Sequence, residues 1–267
     1  MLALSLDDEC KIEINMTTLA APIAKSLASK MKLNDGVEIP MFGLGTYRLD
    51  GPLIASAIEK GYRMLDSAEN YNLATDYIDL YLLHAPQGGK CGEVYRALQE
   101  HKKSGKIRSL GVSNFGIHHL KALEKLGLDL PSVNQIEMHP WQLKTDIVNY
   151  CQSKNIVIIG YSPLAKGKKV DDETIIQIAQ KLQKTPAQIL IRWSVQRGLI
   201  TIPRTSSEKR LMENADVFNW SIPENEMEIL NALGKSPWSC TWDPTKNDLE
   251  TAFGFSNQEL ESRSSLD

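Results

Sequence analysis

Residues 64–86 read MLDSAENYNLATDYIDLYLLHAP. Two strand-like runs lie here, each with acid–base side chains at its carboxyl end. The first, over 62–68, leads into Asp66 and Tyr71; the second, over 77–83, ends in His84. Only NLATD, residues 72–76, separates Tyr71 from Tyr77. Five extended residues reach about 17 Å at most, one strand length. A parallel crossover takes roughly a dozen residues or more. The link is therefore too short for the helix and sideways step that two neighbouring parallel strands require.

Everywhere else that requirement is met. A turn at Asn34-Asp35-Gly36 between short apolar patches predicts an opening hairpin. Strands are expected at 42–46, 62–68, 77–83, 107–113, 132–138, 157–162 and 199–203. Helices are expected at 52–60 (Ile54, Ala57 and Ile58 on one face) and at 90–103 (Val94, Ala97 and Leu98). Further helices are expected at 117–126, 145–154, 172–182, from Pro186 with Thr185 as cap, at 208–217, and from Pro223. Repeated β-then-α is the pattern of a parallel sheet with helical crossovers. A closed (β/α)8 barrel takes eight units of roughly 30 residues. The pattern gives one strand fewer, so the expected fold is α/β: a TIM (β/α)8-type barrel truncated by about one βα unit between its second and fourth strands. The missing material falls at 72–76. The expected organisation is an N-terminal extension over 1–31, disordered; the incomplete barrel over 32–235; and a C-terminal loop and tail over 236–267, whose last stretch SNQELESRSSLD reads as disordered.

The chain has 267 residues, and 30 Lys and Arg against 33 Asp and Glu give a net charge of −3. No basic block stands out, which argues against nucleic acid as a partner. No run approaches the roughly 20 apolar residues of a membrane span. Asp7 and Asp8 interrupt the short apolar start, against a signal peptide. Cys10, Cys91, Cys151 and Cys240 have no CxxC spacing, as expected of free thiols in the cytoplasm.

NDGVEIPMFGLGTY, MLDSAENY, YIDLYLLHAP, GKIRSLGVSNF, NQIEMHP, IIGYSPLAKG and IPRTSSEKRLMEN follow one another in the order found in the aldo-keto reductase superfamily. Each motif alone is weak; seven in order make the resemblance specific, and it covers about residues 32–235. It implies an NADPH-dependent reductase of aldehydes or ketones, with a small-molecule carbonyl as its partner. The Rossmann alternative fails because Gly43-Leu44-Gly45 is not followed by a third glycine, and no acidic residue is placed for a ribose. Close packing at a barrel rim explains Gly43 and Gly45 as well.

Carbonyl reduction needs a proton donor beside an oxygen that becomes an alkoxide. A tyrosine serves if a nearby ammonium stabilises its phenolate. The resemblance assigns Tyr71 as the acid, Asp66 as the carboxylate that orients the ammonium, and His84 as the histidine at the substrate oxygen. All three follow strands, at the end where barrel chemistry is found. The expected lysine belongs to a strand between those of Tyr71 and His84, and no lysine occurs from Met64 to Pro86.

For the cofactor, the resemblance places Thr46 and Tyr47 near the nicotinamide ribose. Ser113, Asn114 and Gln135 hold the carboxamide, and Tyr161 stacks on the ring. Ser162, Leu164 and the loop 165–168 follow one strand, and Arg204, Thr205 and Ser206 follow the next. Loops in these positions commonly bind phosphate. Arg204 and Arg210 suit a 2′-phosphate, because guanidinium pairs bidentately with it. Glu213 and Asn214 are assigned to adenine, and the tail with Trp238 and Trp242 to the substrate pocket. Two readings stay open: an active NADPH-dependent reductase impaired by the missing lysine, and an inactive NADPH-binding or poorly folded variant.

Overall fold

The computed structural model describes residues 22–67 and 77–263. Tyr71 and the link 72–76 lie outside the described residues. The chain opens with a hairpin, β1 (Lys30–Lys32) antiparallel to β2 (Glu38–Pro40). Its turn is closed by Leu33 N–H donating to Val37 O at 2.8 Å, with Gly36 at φ 87°. The packed unit begins earlier than residue 32. Ala24 is already buried, and Met41 N–H donates to Ser29 O.

Then come β3 (Leu44–Gly45), α1 (Gly51–Glu59), β4 (Leu65–Asp66), β5 (Ile78–Leu83), α2 (Cys91–Lys103), β6 (Ile107–Ser113) and α3 (Ile117–Lys125). They are followed by β7 (Val133–Glu137), α4 (Thr145–Ser153), β8 (Val157–Tyr161), α5 (Glu173–Leu182), α6 (Pro186–Gln196) and β9 (Ile200–Thr201). The last elements are α7 (Glu208–Ala215), α8 (Glu224–Ala232), α9 (Leu249–Phe253) and α10 (Asn257–Arg263). The start of α6 is the expected one: Thr185 and Gln188 form a reciprocal capping box with Pro186 just inside.

Strands β5-β6-β7-β8-β9 form one parallel sheet, and β4 pairs in parallel with β3. A parallel bridge from Phe42 to Thr201, and Gly45 N–H donating to Pro203 O at 3.2 Å, join β3 to β9. The order around the barrel is therefore β4-β3-β9-β8-β7-β6-β5. Among the described residues nothing pairs β4 with β5. Gly43 shows how tightly the rim packs: a Cβ there would stand 3.0 Å from Met64 O. Leu33, Ile39 and Met41 of the hairpin region pack with Phe42, Val133, Ile159 and Ile200 inside the barrel. A second core, with Leu120, Leu123, Trp193 and Leu230, lies between strands and outer helices.

Two expected helix faces are corrected. Ile58 of α1 and Val94 of α2 are 46% and 42% exposed, and Ala97 is exposed too. On α2 the inward positions go to Cys91, Tyr95 and Gln99, because the larger Tyr95 ring buries more apolar area. Each of these helices does have a helical neighbour, α7 against α1 and α9 against α2. Residues at the edge strands are exposed as well. Leu65 is 40% and Tyr77 47% exposed, whereas every residue of β7 is buried.

The expected disorder of the tail is also corrected over residues 256–263. Ser256 N–H donates to Glu259 Oε2 at 2.7 Å, and Glu259 N–H to Ser256 Oγ at 3.3 Å. This capping box starts α10, and Leu260 buries itself in the outer core. Cys91, Cys151 and Cys240 are free and buried. No helix among the described residues is long and apolar enough to cross a membrane.

Candidate active site

Of the expected site residues, Thr46, Asp66, His84, Ser113, Asn114, Gln135, Tyr161 and Arg204 lie near the carboxyl ends of strands, while Arg210, Glu213 and Asn214 lie on α7. Thr46, just past β3, is fixed to the neighbouring strand: its N–H and its hydroxyl both donate to Asp66 O, at 2.9 and 2.7 Å. Tyr47 is exposed, with the Arg48 guanidinium 5.1 Å from its ring centre. Asp66 ends β4 half-buried. Its carboxylate accepts from Gln135 Nε2 at 2.9 Å. Burial pushes the Asp66 pKa above its ordinary value, against the opposing pull of the Gln135 hydrogen bond and the His84 charge. No ammonium or guanidinium of the described residues takes part. Gln135, expected on a carboxamide, donates here to a carboxylate that has no cation among the described residues.

His84 follows β5 and is exposed. Its ring is stacked near that of Trp242, with centroids 6.5 Å apart. Its carbonyl accepts from Asn114 Nδ2 at 3.1 Å. Asn114 Nδ2 also donates to Ser113 Oγ at 3.0 Å, and Ser113 Oγ donates to Gln135 O at 2.9 Å. Asn114 sits at φ 62° and Ser162 at φ 51°, both left-handed. Asparagine accepts that conformation readily, and serine does so at a cost that functional sites commonly carry. The Tyr161 hydroxyl donates to Asn114 Oδ1 at 2.9 Å, and burial raises its pKa to about 12. Asp66, Gln135, Ser113, Asn114, His84 and Tyr161 thus form one hydrogen-bonded set.

The other end of the site is more open. Leu164 precedes a turn in which Ala165, Lys166 and Gly167 all have positive φ. Arg204 follows β9; its Nε donates to Tyr47 O at 2.7 Å and its Nη2 to Arg48 O at 3.3 Å, tying the loops after β3 and β9 together. Thr205 is buried and accepts from Ser207 N–H at 3.1 Å, while Ser206 and Arg210 are exposed. Neither Arg204 nor Arg210 has an ion pair among the described residues. Asn214 is buried with its Nδ2 unpartnered. Glu213 is already engaged: Thr185 Oγ1 donates to it at 2.8 Å, which ties α7 to the start of α6.

Four residues near the site escaped the sequence reading. Glu137 ends β7, and His139 Nε2 donates to its Oε1 at 2.8 Å. From the C-terminal segment, Cys240 N–H donates to Oε1 at 2.6 Å, and the Thr241 N–H to Oε2 at 3.1 Å. The Thr241 hydroxyl also donates to Oε2. The available signal was an acidic residue and a histidine two positions apart at the end of the strand motif NQIEMHP.

The family model for the aldo/keto reductase family matches residues 71–235. The glyoxal reductase of Bacillus subtilis (strain 168) is 34% identical over 260 residues, covering 79% of this chain and 94% of that protein. The 9,11-endoperoxide prostaglandin H2 reductase of Trypanosoma cruzi is 32% identical over 256 residues, covering 76% and 90%. Among solved structures, a mutant of Gox0644 in complex with NADPH matches with a TM-score of 0.75 at 30% identity, covering 82% of this chain and 98% of the other. An aldo-keto reductase from a Medee basin deep-sea metagenome library matches with a TM-score of 0.74 at 29% identity, covering 82% and 99%. Strand order, the site at the carboxyl ends of the strands and these matches agree: the chain belongs to the aldo/keto reductase family.

Proposed function

We propose that the chain is an NADPH-binding carbonyl oxidoreductase that keeps the nucleotide half of its site and lacks the cation needed for fast proton delivery. Asp66 carries this reading: it ends β4, which pairs with β3 alone among the described residues, and its carboxylate is bonded to a neutral amide. The match to the Bacillus subtilis glyoxal reductase runs over 260 residues but takes in only 79% of this 267-residue chain. That relative carries residues for which this chain has no counterpart, which supports the loss of a unit somewhere in the chain.

The residues present fit NADPH. Asn214 Nδ2 is a buried donor awaiting an acceptor, as an adenine would provide. Arg204, Ser206 and Arg210 offer exposed donors for the 2′-phosphate. Ser113 and Asn114 would hold the carboxamide, Tyr161 would lie against the ring, and Thr46 and Tyr47 would face the ribose. Ser162 and Leu164 would shape the neighbouring phosphate loop. Bound NADPH supplies the hydride. The chain must then deliver a proton to the carbonyl oxygen, with Tyr71 as donor and His84 orienting that oxygen. A phenol near its ordinary pKa of about 10 does this slowly. A neighbouring cation would lower that value, and a lone carboxylate such as Asp66 raises it.

The test is purified protein with NADPH and an aromatic aldehyde. Tryptophan fluorescence should be quenched by NADPH, while cofactor oxidation should run at least ~100-fold below that of a complete relative, the usual worth of general acid catalysis. Inserting a strand–helix unit that ends in lysine should restore turnover. Turnover equal to a complete relative without the insertion, or no rescue with it, would refute the reading.

A further inference from the structure

We infer that Glu137 is a positioning residue: it fastens the segment 239–243 across the barrel mouth and, through Thr241, holds the Tyr161 hydroxyl and the Asn114 amide in the orientation that receives the cofactor. The inference rests on the assignment of Tyr161 and Asn114 to the nicotinamide end of the site.

Glu137 is almost fully buried, and a buried carboxylate needs all its acceptor sites filled. Four donors fill them: His139 Nε2, the N–H groups of Cys240 and Thr241, and the Thr241 hydroxyl. Burial works to raise the Glu137 pKa, but the bonds from His139, Thr241 and Cys240 outweigh it and hold the value below that of an ordinary carboxylate. Three of those donors belong to the C-terminal segment, more than a hundred residues away in sequence. Neighbouring contacts reinforce the hold: Trp238 N–H donates to Trp141 O at 2.9 Å, and Lys144 pairs with Asp243 at 2.6 Å.

A carboxylate can only accept, so it takes the Thr241 hydroxyl proton. Thr241 Oγ1 then presents lone pairs to the Tyr161 hydroxyl 3.3 Å away. Tyr161 is left as a donor, its proton in the fork between Thr241 Oγ1 and Asn114 Oδ1 at 2.9 Å. With Oδ1 accepting, the Asn114 amide must direct Nδ2 at His84 O and Ser113 Oγ, as found. The polarity runs one way from Glu137 to the loops that meet the cofactor.

Glu137, His139 and Cys240 bring ligand-type atoms within 4.8 Å of one another. The full set of hydrogen bonds on Glu137 leaves that carboxylate no lone pair for a metal, so fastening the segment is its better use.

Two readouts test the inference: amide hydrogen exchange at Cys240 and Thr241 without cofactor, and NADPH affinity from fluorescence quenching. Glu137→Gln puts an amide where only acceptors fit. It should speed both exchanges about tenfold and weaken NADPH about tenfold, with a thermal transition that remains cooperative. Thr241→Val removes only the hydroxyl. It should leave Cys240 exchange unchanged yet weaken NADPH about fivefold, and Thr241→Ser should restore wild-type affinity. NADPH affinity unchanged in Thr241→Val overturns the inference, because a purely structural fastening needs no hydroxyl. If the wild type binds no NADPH, the proposed function fails, and exchange decides the fastening: unchanged rates in Glu137→Gln overturn it too.

Discussion

Replacing Asp66 by asparagine should stabilise this chain, the reverse of what a paired catalytic carboxylate would do. The Asp66 carboxylate has one side-chain donor, Gln135 Nε2 at 2.9 Å, and no cation among the described residues. Sequence alone excludes lysine or arginine from Met64 to Pro86. An ionised carboxylate offers about four acceptor sites, so most of its hydration goes unreplaced. Partial access to water keeps the penalty at the lower end for an unsatisfied buried group, about 1 kcal/mol. Asparagine is nearly isosteric, keeps an oxygen for Gln135, and carries no charge. For a chain of this size, 1 kcal/mol moves Tm by about 2–4 °C. The pH dependence fixes the sign. Burial raises the Asp66 pKa from 3.8, so its folded form favours the neutral acid. Its contribution is present in full below the unfolded pKa and is lost as pH rises through the folded value. The gain from Asp66→Asn should therefore be seen near pH 7 and vanish about one unit or more below the unfolded value of 3.8, where the carboxyl is protonated folded and unfolded alike. In a chain given back its lysine-bearing unit, the same change should destabilise, because it would strand an ammonium. Thermal melts of both variants at the two pH values would decide. Destabilisation of the present chain near pH 7 would mean that a cation does reach Asp66, and the account of the defect would be wrong.

Two further outcomes follow from the same geometry. Arg210→Ala should weaken NADPH about tenfold and leave NADH unaffected, since only the former carries the 2′-phosphate; equal losses for both in fluorescence titrations would remove Arg210 from that role. Leu65→Lys places a charge on the exposed edge of β4, and should lower self-association in sedimentation experiments without changing far-ultraviolet dichroism. No change in association would mean that the edge is already covered.

Most of the barrel could be read from alternation and end signals. Thr185-Pro186, the Asn34-Asp35-Gly36 turn and the β-branched run at Val157 each name a local structure that tertiary packing then keeps. The expected loss of a unit rests on chain length alone, a limit on what five residues can span, and the residues concerned lie outside the described part. What escaped was set by distant partners. Ile58 and Val94 look like core residues on their own helices, yet both stand exposed. Nothing local says that the Gln135 amide meets a carboxylate 69 positions earlier. Glu137 was passed over because its partners arrive from Cys240 and Thr241. Tyr71, the proposed acid, lies outside the described residues.

Among the described barrel strands β4 and β5 have a partner on one side alone, and that would part the two halves of the proposed site. These two strands keep their other neighbours, Leu44 to Leu65 on one side and Leu80 to Ser109 on the other. The loops proposed to meet the nucleotide follow β3, β6, β8 and β9. Each of these strands has a partner on both sides through ladders or the Phe42–Thr201 bridge. Both ends of the proposed catalytic set, Asp66 and His84, hang on the two edge strands instead. Edge strands open locally at lower cost than strands paired on both sides. Hydrogen exchange should thus be fastest at β4 and β5 and slow in β6 to β8, and a loss that spoils proton delivery need not loosen the loops that would grip the cofactor.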